Sequence, residues 1–218
     1  MAQEDHYFFL YLQKEPIKIP MNYLAHIYLS GNNDALKIGN FMADSIKGSH
    51  YLNYGIEFQK GILLHRHIDS FTDAHPIYRK SKHRLHEKYG HYSGVIMDIL
   101  YDHFLAKNWQ QYATVTLTDF ATSFYQLLET NNAQLPEKTK KIAPYMTAQN
   151  WLVSYATLAG IEQILLQMDY RTKHRVNMQE AIVELKTYYD EFENEFTLFF
   201  KELVLSCQEK RKELDELL

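Results

Sequence analysis

The stretch Gly61–Asp73, GILLHRHIDSFTD, decides the fold because it sets polar side chains at helical spacing inside an apolar frame. His65, Asp69 and Asp73 follow one another at steps of four residues, and each such step turns an α-helix by about 40°. The three side chains therefore share one face beside an apolar strip. A metal ion or a phosphate group fits this face, and a solvated polar face is the alternative. His67 lies roughly 200° from His65 and is not expected to join it.

The same helical periodicity continues along most of the chain. From Met21 onward apolar residues recur at spacings of three and four, and no linker or internal repeat interrupts them. The 218 residues therefore predict one all-α domain of about eight to ten helices. From about Met178 to Leu218 we expect one long, charged helix with a solvated end. Residues 1–20 are interpreted as an N-terminal extension, with Met21 as an alternative start.

Composition narrows the functional classes. A net charge of -4 gives no general attraction to nucleic acid or to an anionic membrane, and no apolar run is long enough to cross a bilayer. The single cysteine, Cys207, excludes an internal disulfide framework and suits a reducing cytoplasm. We therefore expect a cytoplasmic protein without a nucleic-acid partner or membrane insertion.

A second polar group lies inside an apolar helix that begins near Ser93. Asp98, Asp102 and His103 interrupt a run of apolar residues, and the two aspartates are four residues apart. Burying a carboxylate without a partner costs several kcal/mol, so these aspartates need a cation or hydrogen-bond donors. A metal ion is one interpretation, and donation by an arginine or by backbone amides is the other.

Two earlier helices each add one polar pair at a spacing of four. The pairs are Asn22 with His26 and Asn40 with Asp44. A hydrogen-bonded core histidine is the simpler interpretation of His26 taken alone. Together with the later aspartates, the set offers one or two imidazoles and several carboxylates. Such donors suit Mn²⁺, Mg²⁺ or Fe²⁺ better than a structural zinc ion.

A basic helix follows the central stretch, and Pro76 begins it. Its cations are Arg79, Lys80, Lys82, Arg84 and Lys88. A solvated helix face is the ordinary interpretation of such a run. It is also suited to an acidic protein partner or a phosphate-bearing substrate. The sequence contains no P-loop, Rossmann, zincin or Glu-x-x-His pattern that would indicate another kind of site.

With these residues in view, the chain from Met21 resembles the acyl carrier protein phosphodiesterase family, which is related to the HD metal-dependent phosphohydrolases. The motifs that carry the resemblance are MNYLAH (21–26), GNFMAD (39–44), LHRHIDSFTD (64–73), DILYDHFLA (98–106) and WLVSY (151–155). The resemblance implies an HD-like fold and a divalent metal, with manganese favoured. It also implies hydrolysis of the phosphodiester that joins 4′-phosphopantetheine to a serine of holo-acyl carrier protein.

The resemblance also implies roles for individual residues. The expected metal ligands are His26, Asp44, His65, Asp69 and Asp102. Asp98 or His103 is expected to transfer a proton, and Arg66 to hold a phosphate oxygen. Expected substrate contacts are Asp73, Arg79, Lys80 and Arg84. The order of Asp102 and His103 is the reverse of the His-Asp pair that names the superfamily. A related hydrolase acting on nucleotides and a non-catalytic helical binding protein remain the alternatives.

Overall fold

A computed structural model describes residues 23–172 and 174–218, and these residues form an all-α fold without strands. The predicted extension 1–20 and the proposed pairing of Asn22 with His26 lie outside this part of the chain. The described α-helices, in chain order, are α1 (Tyr23–Leu29), α2 (Asp34–Met42), α3 (Ile56–Ala74), α4 (Pro76–Tyr89), α5 (Ser93–Lys107), α6 (Leu117–Thr130), α7 (Glu137–Ala148), α8 (Trp151–Ser154), α9 (Leu158–Arg171), α10 (Ala181–Thr187) and α11 (Tyr189–Leu217).

Helix α5 lies in the middle of the core, as its apolar sequence predicts. Apolar side chains on several faces of it have no exposed surface, among them Met97, Ile99 and Leu100. It packs against α1, α4, α9 and α11. A helix buried on several faces is characteristic of a protein interior.

Helices α2 and α3 make the most extensive helix contact, and two glycines permit it. A Cβ atom on Gly39 would lie 2.3 Å from the carbonyl oxygen of Phe58, and one on Gly61 would lie 2.4 Å from that of Leu36. Any side chain at either position would therefore force the two backbones apart. The close approach brings the polar residues at the end of α2 next to those of α3.

Helix boundaries follow the predicted signals in most places. The Asn33 side chain accepts a hydrogen bond from the Leu36 amide at the start of α2, and Pro76 and Gly90 bound α4 as expected. Two details differ. The sequence predicts Thr118 as the cap of α6 and Ser93 as the cap of α5. In the structure Thr116 caps α6, and Ser93 donates to the Gly90 carbonyl. The sequence also predicts a loop from Tyr51 to Tyr54, whereas Gly48–Asn53 forms 3₁₀ turns.

The C-terminal region differs from the single long helix that the sequence predicts from about Met178 to Leu218. A 3₁₀ turn, α10 and α11 divide it, and the chain breaks helical geometry at Tyr188. The far part of α11 is packed: Cys207 and Leu214 are buried, Ser206 contacts His67, and Lys60 forms an ion pair with Asp215. Among the described helices, none is long and apolar enough to cross a membrane.

Candidate metal centre

Three helices bring the polar pairs of the sequence together. His26 projects from α1, Asn40 from α2, and His65 and Asp69 from α3. Asp44 lies in the 3₁₀ turn that follows α2. His65 and Asp69 share one face of α3, as their spacing predicts, and His67 points away to Ser206 of α11 with an Nε2–Oγ distance of 2.8 Å.

Asn40 orients both imidazole rings. Its Oδ1 atom lies 2.7 Å from Nδ1 of His26 and 3.1 Å from Nδ1 of His65. Its Nδ2 atom donates to the His26 carbonyl and to Ser30 Oγ, which assigns the other amide atom as the oxygen. Because an amide oxygen only accepts, both Nδ1 atoms carry the proton. Nε2 is therefore the nitrogen that each ring would offer to a metal ion, which binds the neutral form of histidine.

The two Nε2 atoms face a common carboxylate. Asp69 Oδ1 lies 3.4 Å from Nε2 of His26, and Asp69 Oδ2 lies 3.2 Å from Nε2 of His65. Asp44 Oδ2 approaches the same His65 atom at 3.1 Å. The two rings lie 4.2 Å apart between centroids. In the part of the chain that the structure describes, His26, His65 and Asp69 offer ligand atoms that all lie within 4.8 Å of one another.

The charges of His65, Asp69 and Asp44 strongly affect one another. Burial opposes a charge on His65, but hydrogen bonds and charge attraction from Asp44 and Asp69 outweigh burial and raise the pKa of His65 to about 10. Burial likewise acts to raise the pKa of Asp69, and contacts with His26 and His65 outweigh it and hold that pKa far below its usual range. The carboxylates therefore attract positive charge to this point of the fold.

The donors present fit a divalent cation. Nε2 of His26 is buried and makes no hydrogen bond, although a carboxylate oxygen lies 3.4 Å away. A buried nitrogen lone pair without a donor is costly, and a metal ion would satisfy it. His26 and His65 with Asp69 supply two imidazole nitrogens and a carboxylate, and Asp44 lies beside them as a further oxygen donor. Histidines whose other nitrogen is held by an amide oxygen are typical of metal sites.

Comparison with known proteins shows which family the chain belongs to. The family model for acyl carrier protein phosphodiesterase matches residues 21–203. This chain belongs to the acyl carrier protein phosphodiesterase family. Proteins named acyl carrier protein phosphodiesterase from Pectobacterium atrosepticum and Photorhabdus laumondii are 31% and 30% identical to it, over 84% and 87% of this chain and 96% of each relative. The Yersinia pestis protein of that name is 28% identical over 88% of this chain and all of its own. No solved structure matches the chain.

The predicted metal residues of this phosphodiesterase family member do not all meet. His26, His65 and Asp69 form the group, and Asp44 borders it. Asp102 instead accepts hydrogen bonds of 2.9 Å from the amides of Leu24 and Ala25, at the start of α1. This is the donation by backbone amides that the sequence left open as the alternative. It engages both carboxylate oxygens, so the ligand role of Asp102 stays a prediction without a contact to support it.

The two predicted proton-transfer residues have different surroundings. His103 is buried, and its two ring nitrogens bond to the Tyr155 carbonyl and the Tyr189 hydroxyl. Asp98 accepts a hydrogen bond of 2.7 Å from Tyr78 and borders a small cavity with Asp102. Burial raises the pKa of Asp98 to about 7, the Tyr78 hydrogen bond lowers it, and the charge of Asp69 raises it further. Of the two, Asp98 has the protonation behaviour that acid–base chemistry needs.

The predicted substrate-binding cations are engaged within the protein. Arg84 forms two hydrogen bonds to Glu195, and Lys80 forms an ion pair with the same carboxylate. Arg79 Nε donates to the carbonyl oxygen of Asp73, at 2.7 Å. The Asp73 carboxylate lies 3.6 Å from Lys82. All four roles stay predictions.

Arg66 contacts the part of the chain that follows Asp44. Its Nη2 atom donates to the carbonyls of Ile46 and Gly48, and its guanidinium lies over the Tyr51 ring. The Nη1 and Nε groups of Arg66 remain available to a phosphate oxygen, so the predicted role of Arg66 stays a prediction.

Asn40 is a residue of the centre to which the sequence analysis gives no role. Its spacing of four residues from Asp44 indicates a shared polar face, but only the packing of α2 on α3 shows that its side chain accepts hydrogen bonds from two histidines.

Proposed function

We propose that this protein hydrolyses the phosphodiester between 4′-phosphopantetheine and a serine of holo-acyl carrier protein, using a divalent metal ion. The products are apo-acyl carrier protein and free phosphopantetheine. The observation that carries the proposal is the convergence of two oriented Nε2 atoms and the Asp69 carboxylate within 4.8 Å. Membership of the phosphodiesterase family supports the choice of substrate.

Different residues carry out different parts of the proposed reaction. His26, His65 and Asp69 hold the ion, with Asp44 as an additional ligand. When bound, a divalent ion lowers the pKa of water and neutralises charge on phosphoryl oxygens. Arg66 binds a phosphate oxygen through the N–H groups that the loop leaves unused. Asp98, with a pKa of about 7, is protonated in part at neutral pH and donates a proton toward the departing serine oxygen.

Mixed nitrogen and oxygen donors favour Mn²⁺ or Fe²⁺, and Mg²⁺ is the harder alternative. We assign manganese because the family resemblance favours it. The same reasoning assigns the protein to fatty acid biosynthesis in the cytoplasm, an environment that suits its single buried cysteine.

The test is the mass of acyl carrier protein after incubation of the holo form with the protein and Mn²⁺. We expect loss of phosphopantetheine, and we expect a chelator to prevent it. Asp69→Ala and His65→Ala should remove this activity. His67→Ala is the matched control, because the residue lies on the same helix and contacts Ser206 instead of the centre. Intact holo-acyl carrier protein after incubation with folded, metal-loaded wild type would contradict the proposal.

A panel of nucleotides tests the remaining enzyme class. We expect no turnover of cyclic or linear nucleotides at the concentration that gives full conversion of holo-acyl carrier protein. Faster turnover of a nucleotide would assign the same centre to a small-molecule phosphohydrolase.

A further inference from the structure

The reacting bond restricts where the substrate protein can dock. The phosphodiester is attached to a serine side chain, so the surface of the carrier protein must approach the metal centre within the reach of one serine. The docking surface therefore borders the opening of the centre. Asp69 marks that opening, because 48% of its side chain is exposed, and Asp44 is the next most open member at 29%.

One border of the opening leads along α3 into α4, and it is poorly suited to an acidic partner. Asp73 lies one turn beyond Asp69, and 76% of its carboxylate side chain is exposed. Four of the five cations of α4 lie within 4 Å of acids of the same chain, and the fifth, Arg79, donates to the backbone carbonyl of Asp73. Lys80 and Arg84 pair with Glu195, Lys82 lies near Asp73, and Lys88 pairs with Glu180 and Glu184. An approaching carboxylate would have to compete with these pairs.

The other border is the segment that follows Asp44, here called the 47–56 segment. It runs from Lys47 to Ile56, and the sequence from 45 to 56 contains no aspartate or glutamate. The side chains of Lys47 and His50 are exposed and form no hydrogen bond or ion pair with any residue that the structure describes. Positive charge on this border is therefore available to a partner.

The 47–56 segment also exposes apolar side chains and has a fixed conformation. Leu52 is 59% exposed and Ile56 is 42% exposed. Arg66 holds the start of the segment through the carbonyls of Ile46 and Gly48, and its guanidinium lies over Tyr51. Arg66 lies next to His65 in α3, so the metal centre and this surface are fixed by one helix. A pre-organised surface loses less conformational entropy when it binds.

We propose that the 47–56 segment is the docking surface for the holo-carrier protein, which would meet Lys47 with carboxylates and Leu52 with an apolar side chain. The inference rests on the proposed function for the identity of the partner. An unpaired lysine on the same segment as an exposed apolar side chain is complementary to an acidic protein surface that also carries apolar groups. This location replaces α4 as the expected docking element.

The test compares two variants with two matched controls. Lys47→Glu reverses a cation of the segment, and Lys186→Glu reverses an exposed, unpaired cation of α10. Leu52→Ser and Leu198→Ser each remove a leucine that is 59% exposed. Binding of holo-acyl carrier protein to the metal-free protein is measured by calorimetry, and kcat/KM is measured with Mn²⁺ present. The Mn²⁺ affinity of every variant shows whether the centre is intact.

We expect Lys47→Glu and Leu52→Ser to weaken binding and kcat/KM by about five- to tenfold at low salt, and both controls to behave as wild type. The Lys47→Glu effect should decrease as salt rises, since ions screen exposed charges. Wild-type binding by Lys47→Glu and Leu52→Ser would overturn the docking surface while leaving the activity intact. If wild type binds holo-acyl carrier protein without hydrolysing it, the proposed function alone is overturned. If wild type neither binds nor hydrolyses it, the proposed function and the docking surface are both overturned.

Discussion

Asn40 is the residue on which the geometry of the metal centre depends. It has no exposed surface, and one oxygen of its side chain accepts hydrogen bonds from two different imidazoles. Without that oxygen, either ring is free to move its proton to Nε2 or to rotate. A proton at Nε2 would occupy the lone pair that a metal ion needs.

We expect Asn40→Ala to lower Mn²⁺ affinity by about 10- to 100-fold, the usual effect of losing a group that orients a metal-binding histidine. Calorimetric titration of the metal-depleted protein measures it, with circular dichroism to show that the helices remain. Asn132→Ala, at an exposed asparagine, is the control and should bind Mn²⁺ as wild type does. Unchanged affinity in folded Asn40→Ala would show that the rings are oriented by packing alone.

Asp98 gives a prediction about pH. Burial raises its pKa from 3.8 to about 7, so between these values the folded protein retains a proton that the unfolded chain has released. Stability therefore falls as pH rises through this window, and the cost is complete above about pH 7. Asp98→Asn removes this cost while keeping an oxygen acceptor for Tyr78.

We expect Asp98→Asn to be more stable relative to wild type at pH 8 than at pH 4.5, by a difference on the order of 2–4 kcal/mol. Urea unfolding of both metal-free proteins at several pH values checks this, and the difference isolates Asp98 from other titrating groups. A difference that does not vary with pH would mean that the carboxyl is as well solvated in the fold as in the unfolded chain.

At the scale of the element, α1 needs support from the rest of the fold. It has seven residues, too few for a stable isolated helix, yet it carries His26. Asp102 accepts from the Leu24 and Ala25 amides at its start, and Arg211 donates to the Leu29 carbonyl at its end. Both contacts satisfy backbone groups that have no partner within the helix. An acidic residue at the start and a basic residue at the end also interact favourably with the helix dipole. The two contacts join α1 to α5 and α11.

We expect Asp102→Ala to destabilise the protein by about 2–4 kcal/mol, since two buried amides lose their acceptor. It should also weaken Mn²⁺ binding, because α1 positions His26. Thr116→Ala is the matched control: it removes the cap of α6, costs about 1 kcal/mol, and should leave Mn²⁺ affinity unchanged. Urea unfolding and Mn²⁺ titration of both variants give the comparison. Loss of stability without loss of affinity in Asp102→Ala would show that His26 is held by Asn40 alone.

These helices also show how far the sequence could predict the site. The spacing of His65 and Asp69 is local, and an α-helix converts it directly into a shared face. The contact of His26 with Asp69 depends on how α1 packs on α3, and no spacing encodes that. Asp102 was recognised as a buried carboxylate in need of a partner, but its partner amides lie 77 and 78 residues away in sequence. Long-range partners of this kind require the folded structure.

At the scale of the whole molecule, α11 joins elements that are distant in sequence. The sequence predicts its aromatic buried face, and Phe192, Phe196 and Phe200 are buried as expected. The predicted helix continues across Tyr188 because the periodicity does, and the structure breaks it there. The last residues, 215–218, are exposed as the sequence predicts, but Cys207 and Leu214 before them are buried. The charged residues of α11 include Arg211 and Asp215, which contact Leu29 and Lys60. A count of charges does not show which of them meet partners.

The last part of α11 lies beyond residue 203, where the family match ends, and we expect it to support the centre from outside. Removing residues 204–218 takes away the buried side chains of Cys207 and Leu214 and the Arg211 contact with the end of α1. The cost should be on the order of 3–5 kcal/mol, which corresponds to a fall of roughly 10 °C in Tm. Because α1 loses its C-terminal contact, Mn²⁺ affinity should fall as well.

Removing only Leu217 and Leu218 is the matched control, because both side chains are largely exposed, at 68% and 48%. Thermal unfolding with and without Mn²⁺ measures both effects in the two shortened chains. In the longer truncation the added Mn²⁺ should raise Tm by less than in wild type, since weaker binding gives less stabilisation by mass action. An equal rise in Tm would mean that the end of α11 stabilises the fold without positioning α1, so that His26 depends on α2 and α3 only.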